Sequence, residues 1–170
     1  MSSAIYNQRQ RQLKSLLAEK KLDGILITNL TNIRYISGFT GSAASCLVTP
    51  QGNYFISDGR YIEQSKEQVK GFERFIDMSS HFEQIKKNNL NPDGYRLAFE
   101  GDHMSYAQYS TMKKTFPNTT WENTSMMLED LAAVKDEHEL DCIRTAVEVT
   151  DKVYEEILPM LQPGYTEKQV

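Results

Sequence analysis

The sequence predicts an α/β domain in which helices cover both faces of a mixed sheet, followed by the first long helix of a truncated second domain. Three observations carry this expectation. Short apolar runs of β type alternate with amphipathic helical runs from the amino terminus to about Leu131, the interleaving that layers helices over a sheet. Two of the β-type runs are joined only by Pro50-Gln-Gly52, which makes them a hairpin and excludes a purely parallel sheet. Beyond Leu131 the pattern changes to one continuous helical seam. The expected organisation is therefore a first domain over 1–131, then a linker and the opening of a second domain over 132–170.

The elements follow in order. Tyr6 to Lys21 sets Leu13, Leu16 and Leu17 on one side among Arg, Gln, Lys and Glu, a helix with one apolar face. Leu22-Asp-Gly-Ile-Leu-Ile-Thr28 is nearly unbroken in its apolar run, as a strand covered on both faces is. A short helix over Asn29 to Ile36 can be capped by Asn29 or Thr31, and Gly38 can end it in the left-handed conformation. The loop Ser37-Gly-Phe-Thr-Gly-Ser42 follows, and then the hairpin of Ala43 to Thr49 with Asn53 to Ser57.

Asp58 can cap a helix from Arg60 to about Lys70, with Tyr61, Ile62, Ser65 and Val69 turned inward. Phe72 to Ile76 is a strand candidate. Ser80 with Glu83 and Ser105 with Gln108 are capping boxes, which predict helices over about 81–88 and 106–115. Between them lies the strand Tyr95 to Glu100, entered through Asn91-Pro-Asp-Gly94, and Thr119 to Glu122 is a last short strand. From Asp136, with Glu139 three residues on, a long helix aligns Leu140, Ile143, Val147, Thr150, Tyr154, Ile157 and Leu161 at alternating spacings of three and four. Pro159 should kink or end it. Thr166-Glu-Lys-Gln169 is a further capping box just before Val170, which predicts that the natural chain continues.

Composition narrows the function classes. The 170 residues are 39% hydrophobic and 25% charged, which fits a globular domain and excludes disordered and collagen-like classes. Nineteen Lys and Arg against 23 Asp and Glu give a net charge of −4, so a nucleic-acid partner is not expected. No apolar run reaches the roughly 18 residues of a membrane span, and the first ten residues lack a signal-peptide core. A cytoplasmic protein with no membrane partner is expected. Cys46 and Cys142 are expected to be free thiols, and the glycosylation-type triplets at Asn29, Asn118 and Asn123 are discounted without a secretion signal.

Candidate chemistry is sparse. His81, His103 and His138 are expected to be surface side chains without zinc-type spacing. The carboxylate groups Glu129-Asp130, Asp136-Glu137-Glu139 and Glu155-Glu156 have no converging partner and fit solvated helix faces. Ser110-Thr-Met-Lys113 matches a serine–lysine catalytic string only formally, because its companion motifs are missing. Gly38-Phe-Thr-Gly41 is a structural turn or a ligand-facing loop. Asp58-Gly-Arg-Tyr61 fits a helix cap with an Arg–carboxylate pair. A doubly wound nucleotide-binding domain is weakened by the lack of Gly-x-Gly-x-x-Gly after the first strand.

Five strings in order resemble the amino-terminal half of the creatinase, prolidase and aminopeptidase P family. They are Leu22-Asp-Gly-Ile-Leu-Ile-Thr28, Asn32-Ile-Arg-Tyr-Ile-Ser-Gly-Phe-Thr-Gly-Ser-Ala43, Ser57-Asp-Gly-Arg-Tyr61, Val134-Lys-Asp-Glu-His-Glu-Leu-Asp-Cys-Ile-Arg-Thr-Ala146 and Gln162-Pro-Gly-Tyr-Thr-Glu167. The last two resemble the opening of that family's catalytic "pita-bread" domain. The resemblance implies a hydrolase acting at Xaa–Pro bonds of proline-containing peptides. It implies two divalent ions (Mn, Co or Zn) held by carboxylates and a histidine beyond Val170, with no catalytic or metal residue in this chain and no activity of the chain alone. It also implies a homodimer and makes Phe39, Thr40, Gly41 and Ser42 candidate walls of the substrate cleft. The rival reading is a non-catalytic module of the same fold that binds peptides or histones.

Overall fold

A computed structural model describes residues 3–170. The chain divides between Ala132 and Ala133 into two compact units. The first is built on a six-stranded sheet in the order β4-β3-β2-β1-β5-β6. Its strands are β1 (Gly24–Ile27), β2 (Ala44–Val48), β3 (Asn53–Ser57), β4 (Glu73–Ile76), β5 (Arg96–Glu100) and β6 (Thr120–Thr124). β2 is antiparallel to both β1 and β3, while the other pairings are parallel. Five strands therefore point one way and β2 alone runs back.

Alternation along the strands sends side chains to two cores. On one face Ile25 and Ile27 of β1, Cys46 and Val48 of β2, Phe55 of β3 and Ala98 of β5 meet α1 (Ser3–Glu19), α2 (Leu30–Ser37) and α6 (Met127–Ala133) through Leu13, Leu17, Ile33, Ile36, Met127 and Leu128. On the other face Leu26, Leu47, Ile56, Leu97 and Phe99 meet α4 (His81–Lys87) and α5 (Tyr106–Thr115) through Ile85, Met112 and Phe116. The mixed sheet covered on both faces is the expected architecture. All four residues of β1 are buried, as its unbroken apolar run requires.

Local signals place most boundaries. Asn29 caps α2 by accepting from Thr31 N, and Gly38 at φ 86° closes it. Both capping boxes form, Ser80 with Glu83 and Ser105 with Gln108. Two expectations change. The segment after β3 begins as a 3-10 turn, Gly59–Tyr61, and only then becomes α3 (Ile62–Gln68). Three residues wound at three per turn move the phase by about 60° from that of an α-helix, and Ile62 emerges 46% exposed instead of turned inward. α6 was not foreseen, because seven residues without a capping signal show no helical period of their own.

The second unit is α7 (Glu137–Ile157), a 3-10 turn at Leu158–Met160 around Pro159, and an irregular end. Asp136 and Glu139 form the expected capping box. No residue of α7 is buried, and Ile143, Val147, Val153 and Tyr154 are each close to half exposed or more.

Candidate functional site at the carboxyl edge of the sheet

The loop between α2 and β2 is held by side chains from α3 and the turn before it. Ser37 Oγ donates to Ile33 O at 2.6 Å and accepts from Phe39 N at 3.3 Å, which turns the chain inward after Gly38. Phe39 is 1% exposed. Its ring stands edge-on to Phe55 at 4.8 Å and to Tyr61 at 5.2 Å between centroids. The expectation that Phe39 walls a cleft is therefore corrected: an aromatic ring flanked by two glycines had two solutions, and the apolar floor between β3 and α3 captured it.

The rest of the loop faces outward. Thr40 N and Oγ1 both donate to Gln68 Oε1, at 2.9 and 3.1 Å, and Gln64 Nε2 donates to Thr40 Oγ1. Ser42 N donates to Tyr61 Oη at 3.2 Å, and the two hydroxyls lie 2.7 Å apart. Any Cβ on Gly41 would run into the rings of Phe39 and Tyr61, so the close approach requires glycine. Thr40 and Ser42 are exposed and Gly41 partly so. The strings Gly-Phe-Thr-Gly-Ser and Asp-Gly-Arg-Tyr, distant in sequence, thus meet through Tyr61.

Asp58 and Arg60 adopt the cap-and-pair arrangement. Asp58 Oδ1 accepts from Arg60 N and Nε at 3.0 and 2.9 Å, and Oδ2 accepts from Nη2 at 2.8 Å. The Arg60 hydrogen bonds hold the Asp58 carboxyl below the usual carboxylate range. The Ser42 hydroxyl and N–H likewise hold the Tyr61 phenol below its ordinary value.

Beside this loop a cavity of about 300 Å³ opens among Thr28 and Leu30 after β1, Ser42 to Ser45 entering β2, Ser80 to Phe82 at the start of α4, and His103 and Gln108 around α5. It lies beyond the carboxyl ends of β1 and β5, where the chain departs to opposite sides of β1, the position at which open α/β sheets collect ligands. Ser45 Oγ and His81 Nδ1 lie 2.8 Å apart at one wall. His81 is half-buried rather than on the surface, and burial pulls its imidazole below the ordinary value. Neither Ser45 nor His81 stands out in sequence, because a serine inside a strand and a histidine opening a helix carry no spacing signal.

A buried carboxylate braces the same edge. Glu100 Oε2 accepts from Thr28 N at 2.6 Å and Asn29 N at 2.8 Å, while Oε1 accepts from Asn32 Nδ2 at 2.7 Å. Asn32 Nδ2 also reaches Glu129 Oε1 at 2.7 Å. The ends of β1, α2, β5 and α6 are locked together by these groups. The charged residue closing the apolar run Leu97-Ala-Phe99 was the available clue.

Among the described residues of the first unit, the exposed large hydrophobic side chains are Leu30, Ile62, Met78, Tyr106 and Met126. Each follows the carboxyl end of one of the five co-directed strands, β1, β3, β4, β5 and β6 respectively.

His138 and Cys142 correct the histidine expectation in a second way, since they stand four apart on α7 with Nε2 and Sγ 3.9 Å from each other. Among the described residues no group of three or more His, Cys, Asp or Glu side chains could hold a metal ion. No helix is long and apolar enough to cross a membrane among those residues. Both cysteines are free, Cys46 buried and Cys142 exposed.

The fold is that of the creatinase/prolidase amino-terminal domain. The chain belongs to that family: the model of the Creatinase/Prolidase N-terminal domain matches residues 9–134. Among relatives, the uncharacterized peptidase YqhT of Bacillus subtilis is 33% identical over 157 residues, covering 92% of this chain and 44% of its own length. The Xaa-Pro dipeptidase from Bacillus anthracis superposes with a TM-score of 0.87 at 30% identity, over 96% of this chain and 46% of that one. The N-terminal domain of the cytoplasmic peptidase PepQ from Mycobacterium tuberculosis matches 73% of this chain with 98% of its own, at 28% identity and a TM-score of 0.66. The chain spans less than half the length of the curated relatives it matches.

Proposed function

We propose that this chain is the amino-terminal portion of a hydrolase that cleaves Xaa–Pro bonds in proline-containing peptides, and that its carboxyl edge contributes to oligomer contacts and to the wall of the substrate cleft. One observation carries the reading: similarity to the Bacillus anthracis Xaa-Pro dipeptidase extends through 96% of the chain, taking in α7 as well as the sheet. On this reading residues 1–131 form the amino-terminal domain and 132–170 open the catalytic domain of a cytoplasmic homodimer.

The chemistry of such a hydrolase would be supplied by two divalent ions, of Mn, Co or Zn, acting as Lewis acids. The described residues offer no group of three or more His, Cys, Asp or Glu side chains that could hold such an ion, and no step is assigned to this chain. Its own contribution is positional. Thr40 and Ser42 present hydroxyls on a loop whose backbone is clamped by Gln68 and Tyr61, so they can meet a peptide with little ordering cost. Phe39 holds the loop from beneath.

The test uses the full-length protein. Xaa–Pro dipeptides and longer Xaa–Pro peptides are expected to be cleaved in the presence of Mn²⁺, and the 170-residue chain alone to cleave neither. Thr40→Ala with Ser42→Ala is expected to raise KM severalfold while metal content and kcat stay near wild type. Peptide binding without hydrolysis by the full-length protein would favour the non-catalytic module, and an unmoved KM would remove the loop from the cleft.

A further inference from the structure

His138 and Cys142 occupy neighbouring turns of α7, and the capping box at Asp136 and Glu139 fixes the helix start beneath them. Residues four apart share a helix face. At 100° per residue this pair lies about 150° round the helix from the centre of the apolar seam of Leu140, Ile143, Val147 and Tyr154, on the opposite side of the helix. Both side chains are exposed. The nearby Arg144 guanidinium is engaged by Asp141 at 2.7 Å and Glu137 at 3.9 Å, which offsets its repulsion of a cation.

The separation of the two donor atoms is the informative quantity. A tetrahedral ion with bonds of about 2.3 Å to sulfur and about 2.05 Å to an imidazole nitrogen holds those atoms about 3.5 Å apart. In this structure Cys142 Sγ and His138 Nε2 stand at 3.9 Å, so small side-chain rotations close the chelate without moving the helix. One thiolate with one imidazole selects borderline ions over Mg²⁺ or Ca²⁺, which prefer oxygen.

We propose that His138 and Cys142 form a bidentate site for a divalent ion of the Zn²⁺ class, with water completing the tetrahedron. The thiol releases its proton to solvent as the sulfur–metal bond forms. The site does not rest on the hydrolase reading, since both ligands and the helix that presents them lie within this chain.

Cobalt is the probe, because thiolate ligation to Co²⁺ produces a near-ultraviolet charge-transfer band. Titration of the 170-residue chain, kept reduced with a phosphine, is expected to develop that band and saturate at one ion per chain. Zn²⁺ is expected to abolish it by competition. Cys142→Ser should remove the band, whereas Cys46→Ser, at a buried thiol, should leave it intact. His138→Ala should move the midpoint upward by at least about tenfold, the cost typical even of losing an outer-shell partner. Absence of the band, its survival in Cys142→Ser, its persistence against Zn²⁺, or an unmoved midpoint in His138→Ala would each overturn the proposal. Circular dichroism checks that the variants keep their helices.

Discussion

Phe39 and Ser42 lie three residues apart on one loop and do opposite things. Phe39 fills the space between Phe55 and Tyr61 with its ring fully enclosed, and truncating an enclosed aromatic costs about 3–5 kcal/mol. Phe39→Ala is therefore expected to lower the free energy of unfolding by that amount, measured by urea titration. Ser42→Ala, which removes one exposed hydroxyl, should change it little. A loss below about 1 kcal/mol for Phe39→Ala would show that the ring is not structural. His81 carries a pH dependence. Its imidazole is held below the ordinary value of 6.5 by burial, with Ser45 at its Nδ1 and the Asp58 charge partly opposing the shift. The unfolded chain then binds the proton at higher pH than the folded one. The contribution is fully present above the unfolded value and is lost as pH falls below it toward the folded value. Between about pH 7.5 and about pH 5.5 the wild type is expected to lose more stability than His81→Gln. Parallel losses in the two proteins would remove His81 from this role.

Elements whose signals are local were the legible ones. Ser80 with Glu83 and Ser105 with Gln108 mark helix starts because the groups that satisfy one another are three residues apart. The hairpin is legible for the same reason, as β2 and β3 pair across a tight turn. α3 was legible in place but not in phase, because Asp58 first closes a 3-10 turn. α7 is the element with an unmet requirement. Its seam was legible as a burial pattern, yet no residue of the helix is buried, and each large apolar side chain left in water forgoes roughly 1.5–3 kcal/mol. The seam is expected to find a partner in solution, a second copy of the helix being at hand. Hydrogen exchange over residues 137–161 should slow as protein concentration rises from dilute to concentrated samples. Equally fast exchange at both concentrations would contradict this.

At the scale of the molecule, the sheet gathers its loops on one edge. Because β2 alone runs backward, five carboxyl ends and the loop entering β2 gather on the same side. The Glu100 brace, the cavity beside His81 and the exposed Leu30, Met78 and Tyr106 all lie there. Residues up to about 132 gather round the sheet, and those from 133 onward form a unit of their own.

What the sequence determined by itself was whatever depends on near neighbours: the alternation of strands and helices, the caps, the hairpin, the change of pattern after Leu131 and the ordered strings that place the chain in its family. Only the tertiary structure decided which face of a loop residue is used. Gly38-Phe-Thr-Gly41 is equally compatible with an outward and an inward Phe39, and the choice was made by Phe55 and Tyr61, 16 and 22 residues further on. It also decided that Glu100 serves as a brace, since its partners Thr28, Asn29 and Asn32 lie some 70 residues away. The physical reason is common to both. A buried ring or carboxylate is stable only where contacts or hydrogen bonds repay its desolvation and lost freedom, and those partners come from distant parts of the chain.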